Sequence, residues 1–316
     1  MSRPRLTELS SGGGCSCKIS AGELERLLAV AFPGADALAG SPPRRVLVGL
    51  EAGDDATVVE LDPDRAIVTT TDFFPPIVDD PFDWGRIAAA NALSDIYAMG
   101  AEPLSALNLL CWPGGDVLSD EVAGEVLRGG VAVCAKAGCI LAGGHSIRGE
   151  TPLYGLAVTG LADPAHLLRI DAAVPGDPIT LTKAIGVGIL ANRFQQTGDV
   201  ASFAPAVASM TELNREASHQ ALDAGVLAAT DVTGFGLLGH LAKMARASGV
   251  TAVVDSRAVP VIEGARAALD EGYVPGGSRR NLEWVLPSLQ SEVSPDQLLL
   301  LADAQTSGGL LIAGEI

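Results

Sequence analysis

Residues 69–100 read TTTDFFPPIVDDPFDWGRIAAANALSDIYAMG and hold a strand end, a break and a helix in one continuous run. The β-branched residues of 66–71 predict a strand that ends at Asp72. Pro75 and Pro76 interrupt the chain. The Ala-rich segment 83–100 then predicts a helix, with Asp83 as its cap and Gly100 and Pro103 as its stop. Asn91 and Asp95 lie four residues apart, so they share one helix face. Asp72 and Asp95 each stand beside apolar residues that must be buried, and a buried carboxylate needs a partner.

Upstream, 46–50 and 56–61 predict strands on either side of an acidic turn, 51–55. Residues 7–45 form an arm. Its Ser-Ser-Gly-Gly-Gly run, 10–14, is too flexible to hold structure unaided. A short helix over 21–32 follows, with Ser20 and Glu23 at capping-box spacing. Downstream, 104–110 predicts a strand and 119–138 a helix, and 140–142 leads into a Gly-rich turn at 143–146. The alternation of Tyr154, Leu156 and Val158 predicts a strand over 152–161. Prolines at 164, 175 and 178 mark a domain boundary near 163–178. The second half opens with a strand over 179–182 and a Gly186–Gly188 turn into a helix. It continues with a long helix over 207–223 and a strand running into 230–236. The result is an α/β chain of two domains behind an arm, with bounds 1–45, 46–163 and 164–316. The chain stops within an apolar run just after Gly308-Gly309, which reads as a shortened C-terminal domain.

The formal charge of −17 sets the surface against phosphate backbones, so nucleic acid is not an expected partner. No apolar run approaches the ~18 residues of a membrane helix. The first fourteen residues lack the apolar core of a secretory signal, so the cytoplasm is the default location. Five cysteines, an odd number, argue against a disulfide framework.

Acidic residues recur at strand ends and on a polar helix face: Asp54 and Asp55, Asp72, Asp95 and Asp231. Singly, each reads as well as a turn or surface charge; together they suit Mg²⁺, which takes hard oxygen ligands and nucleotide phosphates. No Walker A loop occurs. Gly234, Gly236 and Gly239 match the dinucleotide fingerprint, with Asp255 about twenty residues on, which leaves an NAD-binding oxidoreductase as an alternative. Gly143 and Gly144 offer a turn whose N–H groups suit phosphate. The run Cys15-Ser16-Cys17-Lys18 is the least usual feature. A nearby ammonium lowers a thiol's pKa, and Lys18 is also a mobile charge for phosphate. A stray metal site or a selenium or metal carrier without catalysis stays open for the same pair of cysteines, although no second pair completes a zinc set nearby.

These motifs resemble the selenophosphate synthetases (selenide, water dikinases), within the aminoimidazole ribonucleotide synthetase-like ATP-binding superfamily. The segments that carry the resemblance are GGGCSCKIS (12–20), LVGLEAGDDATVV (47–59), the 69–100 block, LAGGHSI (141–147), YGLAVTGL (154–161), TDVTGFGLLGHL (230–241), VPGGSRRN (274–281) and DAQTSGGLL (303–311). The resemblance implies an α/β (α+β) two-domain fold, with an N-terminal mixed sheet that pairs in a homodimer and a C-terminal α/β domain. It implies Mg²⁺-dependent synthesis of selenophosphate from selenide, ATP and water, with selenide free or supplied by a selenium-delivery protein. Cys15 and Lys18 match catalytic positions, and Asp55, Asp95 and Asp231 match magnesium ligands. Lys18, Ala52, Gly53, Asp54, Asp72, Asp95, Gly144, His145 and Ser146 match ATP-contacting positions, some of them contributed by a partner subunit. Ser16 replaces the family's usual Gly, and the family usually continues for a further helix and strand.

Overall fold

The computed structural model describes residues 5–10, 12–31, 45–49, 53–115 and 117–316. Strand β3 (Arg65–Phe74) shows why its sequence alternates: Ala66, Val68, Thr70, Asp72 and Phe74 are buried, whereas Thr69, Thr71 and Phe73 are exposed. The buried set faces helix α2 (Pro81–Ala98), whose Trp84, Ile87, Leu93 and Ile96 are fully enclosed. Strand β3 runs on to Phe74, two residues beyond the expected end at Asp72. Helix α2 begins at Pro81 and is capped by Asp80, which accepts from the Asp83 N–H; Asp83 is therefore not the cap. Proline at the first helical position presets the backbone and needs no amide partner, which moves the start upstream.

Six strands form the first sheet, in the order β1-β2-β3-β6-β4-β5. They are β1 (Val46–Val48), β2 (Thr57–Asp62), β3, β4 (Glu102–Trp112), β5 (Ile140–Arg148) and β6 (Leu153–Ala162). Only the β4–β5 pair is parallel, so the sheet is mixed. Helices α2 and α3 (Asp120–Ala137) cover one face. Residues 143–146, expected as a turn, continue β5 as an edge strand, with a register shift against β4. Gly143 and Gly144 absorb that irregularity at φ 114° and 147°.

The second half carries a smaller antiparallel sheet, β7-β9-β8, of β7 (Ile179–Leu181), β8 (Ala228–Asp231) and β9 (Leu310–Ala313). Its helices are α4 (Val187–Thr197), α5 (Val200–Met210), α6 (Arg215–Asp223), α7 (Gly236–Ser248), α8 (Ala265–Asp270), α9 (Gly276–Val285) and α10 (Pro295–Leu301). The single helix expected over 207–223 is two, because the chain turns at 211–214 so that Asn214 can reach Ser94 and the Gly308 carbonyl. The segment 251–255, which a dinucleotide fold would make a strand ending at Asp255, is irregular chain. Val253 there is 86 % exposed, and the segment finds no ladder partner among the described residues.

The arm contributes α1 (Ala21–Ala31) and short 3-10 turns at Leu6–Leu9 and Gly14–Cys17. Leu6, Thr7 and Cys15 are buried against the body. Helix α2 also packs on β8, α5 and α6, so it forms a wall shared by the two halves. Among the described residues no helix is long and apolar enough to cross a membrane.

Candidate active site

Four elements converge beneath the arm: β3 with Asp72, α2 with Asn91, Ser94 and Asp95, the 53–55 turn, and the end of β8 with Asp231. Oxygens of Asp55 and Asp231 and a ring nitrogen of His240 lie within 4.8 Å of one another. Asp55 accepts from Thr230 Oγ1 (3.0 Å) and from the Asp231 N–H (3.3 Å). Asp231, 1 % exposed, accepts from Ser94 Oγ (2.7 Å). Asp95 accepts from Thr70 Oγ1 (2.5 Å). Among the described residues no basic side chain pairs with these three carboxylates. Burial, then the negative charge of neighbouring aspartates, pushes Asp55 and Asp231 up to about 7 and Asp95 well above the carboxylate range. A cluster of hard oxygens with excess negative charge and no directly paired cation among the described residues has the donor chemistry of a magnesium site.

Beside it runs a continuous polar chain. Lys18 Nζ donates to Asp72 Oδ2 (2.7 Å). The same oxygen accepts from Asn91 Nδ2 (2.7 Å). Asn91 Oδ1 in turn accepts from Cys15 Sγ (3.3 Å) and from the Ser307 N–H (2.7 Å). One amide and one carboxylate, Asn91 and Asp72, therefore join the arm's thiol to the arm's ammonium. Lys18 does pull the Cys15 pKa down as expected, but it does not decide the net shift. Burial raises the thiol and outweighs the attraction of Lys18, so Cys15, 1 % exposed, is a protonated donor. Burial opposes the charge on Lys18, but the paired Asp72 carboxylate outweighs it and holds its pKa above the usual lysine range. Cys17 is exposed, and Ser16 Oγ donates to the Gly13 carbonyl (2.6 Å), which ties the turn.

The remaining expected residues fall in other places. Ala52 lies outside the described residues. Gly53 takes φ 59°, and its carbonyl accepts from Lys243 Nζ (2.7 Å). Asp54 turns inward and accepts from the Asp55 and Ile170 N–H groups; burial raises it to about 6. Gly144, His145 and Ser146 are exposed on β5, three strand spacings or about 14 Å from β3, so they do not join the cluster within one chain. The glycine fingerprint is used for packing. A Cβ on Gly234 would meet Cys15 and Lys18, and one on Gly236 would meet the backbone of Ala302 and Asp303. Asp255 is exposed and pairs with Arg257.

Thr70, Ser94, Thr230, His240 and Thr306 lie inside the segments that carry the resemblance without a role attached to them, and Lys183 lies outside all of those segments. His240 Nε2 accepts from the Thr233 N–H (3.2 Å), so this nitrogen is unprotonated and engaged.

Residues 53–162 match the family described as AIR synthase related protein, N-terminal domain, and residues 174–313 match the corresponding C-terminal domain. A selenide, water dikinase of Bordetella bronchiseptica is 50 % identical over 98 % of this chain and 88 % of its own length. The chain belongs to the selenide, water dikinase family. A selenide, water dikinase of Pseudomonas putida is 49 % identical over 99 % of this chain and 89 % of its own. The dikinase chain shares its fold with a thiamine-monophosphate kinase of Stenotrophomonas maltophilia (TM-score 0.61, 24 % identity, 91 % of this chain and 84 % of the other). The hydrogenase maturation protein HypE has it too (TM-score 0.57, 20 % identity, 84 % and 76 %).

Proposed function

We propose that the chain makes selenophosphate from selenide, ATP and water, releasing AMP and phosphate, with Cys15, Lys18 and the clustered aspartates as its site. The carrying observation is the Lys18–Asp72–Asn91–Cys15 chain beside Asp55, Asp95 and Asp231, in a member of the dikinase family. Asp55, Asp95 and Asp231 would hold magnesium, which would supply the positive charge that lets an anionic protein hold a nucleotide polyanion. Lys18 presents its ammonium to the γ-phosphate, and Asp72 aims it. Cys15, shut away from water, steers selenide toward phosphorus; a Se–P bond forms as the bond to ADP breaks. Positioning and charge stabilisation do most of the work in such a transfer. Water then cleaves ADP to AMP and phosphate.

The protein works as a homodimer in the cytoplasm, with selenide supplied free or by a delivery protein. Five free cysteines suit a reducing compartment. The sheet face away from α2 exposes Phe73, Leu107 and Ile147, an apolar surface fit for a second copy. Pairing there supports a role for Gly144, His145 and Ser146 at the partner's nucleotide. The test is ³¹P NMR of the products from Mg-ATP and selenide without oxygen. Selenophosphate, AMP and phosphate are expected in equal amounts, and Cys15→Ser is expected to lower AMP formation at least about a hundredfold. ADP as the end product, or a Cys15→Ser variant of full activity, would refute the assignment.

A further inference from the structure

The loop 303–309, between α10 and β9, is buried throughout although it has no regular structure. Its polar groups are tied to several elements. Gln305 Oε1 accepts from the Gly186 and Val187 N–H groups, and the Gln305 N–H donates to the Thr233 carbonyl (2.9 Å). At its centre Thr306 and Ser307 turn toward the arm. The Cys15 N–H donates to Thr306 Oγ1 (2.9 Å), a buried bond between residues 291 positions apart. The Ser307 N–H donates to Asn91 Oδ1, the same oxygen that receives the Cys15 thiol. Two consecutive loop residues therefore hold both ends of Cys15, its backbone directly and its sulfur through Asn91.

The fit is close. Gly14 stands at φ 58°, and a Cβ there would collide with Thr306 Oγ1 and Ile77. Ser307 is at φ 49°, the one non-glycine residue with positive φ among those described. A strained turn persists only when its surroundings hold it. Here the Ser307 carbonyl accepts from Lys183 Nζ (3.0 Å), and the same ammonium donates to the Glu212 carbonyl (2.7 Å). Lys183 is 9 % exposed and takes no part in the mechanism above.

We propose that Thr306 is the positioning residue that seats Cys15 of the arm, with Lys183 as the strut that keeps the 306–307 turn in its receiving shape. The inference rests on the role given to Cys15 above, and its physical core is that the C-terminal half of the chain sets the thiol's position. Thr306 acts through Cys15: its Oγ1 accepts from the Cys15 N–H, and its hydroxyl also bonds the thiol.

The experiment is alkylation of the full chain by iodoacetamide, read peptide by peptide by mass spectrometry, without nucleotide or selenium. Thr306→Val keeps the shape and removes the acceptor. It is expected to raise the labelling rate of Cys15 about tenfold, the factor that one lost buried hydrogen bond is worth, with Cys17 unchanged. Thr306→Ser, which restores the oxygen, is expected to return Cys15 to the wild-type rate. Lys183→Met is expected to raise Cys15 labelling as well, and it carries the test if Thr306→Val does not fold. In turnover assays Thr306→Val is expected to lower kcat with the KM for ATP unchanged. Cys15 labelling that does not change in Thr306→Val, or that rises equally in Thr306→Ser, would overturn the proposal. Because labelling needs no reaction, it decides this point even if the chain proves to make another product.

Discussion

Asp303 shows what burial does to a single carboxylate. It accepts from the Gly188 and Ile189 N–H groups at the head of α4, from Ser278 Oγ and from Gln305 Nε2, and is fully enclosed. Burial outweighs all of these donors and raises it to about 7. Its unfolded value is near 3.9, so the stability it contributes is complete below about pH 4 and is lost as pH rises through about 7. Asp303→Asn stays neutral across that range. Thermal melting at about pH 6 and about pH 8 is expected to show a smaller drop for the variant than for the wild type; equal drops would count against a raised Asp303. At this scale the sequence was partly legible. Asp72 and Asp95 beside apolar residues announced buried carboxylates, and Cys15 and Lys18 stood out by their pattern. The protonation of Cys15 did not follow from its neighbour Lys18, because the degree of burial is set by residues as distant as Thr306.

At the scale of elements, α2 and α3 cross through two glycines. A Cβ on Gly129 would run into the Phe82 carbonyl and the backbone at Arg86, and one on Gly85 would strike the Val126 carbonyl. Gly129→Ala is therefore expected to cost about 1–3 kcal/mol by urea unfolding, the cost of overpacking. Gly124→Ala on the same helix meets only the Arg128 side chain at 3.6 Å and is expected to be neutral or to stabilise by up to about 1 kcal/mol. A Gly129→Ala protein as stable as the Gly124→Ala one would remove the close crossing. Most strands and helices could be read from periodicity and caps. The departures have local causes: proline moved the start of α2, glycine let β5 run on through 143–146, and Asn214 broke the helix expected over 207–223.

For the whole molecule, no element among the described residues covers the face of the mixed sheet away from α2 and α3. Register sets Phe73 across from Gly155, Gly155 across from Leu109, and Leu109 across from His145, so an apolar band crosses the sheet and ends beside the 144–146 segment. Leu107→Glu places a charge in that band. In light scattering it is expected to move the protein from twice the chain mass to once, and to lower turnover at least about tenfold as a dimer-dependent site comes apart. A variant that stays dimeric, or a wild type that is monomeric, would exclude this face as the interface.

The sequence by itself determined the order of strands and helices, the two halves and the identity of the residues with chemistry to offer, because local propensity and pattern are short-range properties. Only the tertiary structure decided which of them meet. Asp55 and Asp231, 176 residues apart, share one site, and Cys15 rests on Thr306 near the other end of the chain. Long-range packing also fixed which charges are desolvated, and desolvation depends on everything that surrounds a group rather than on its neighbours in sequence.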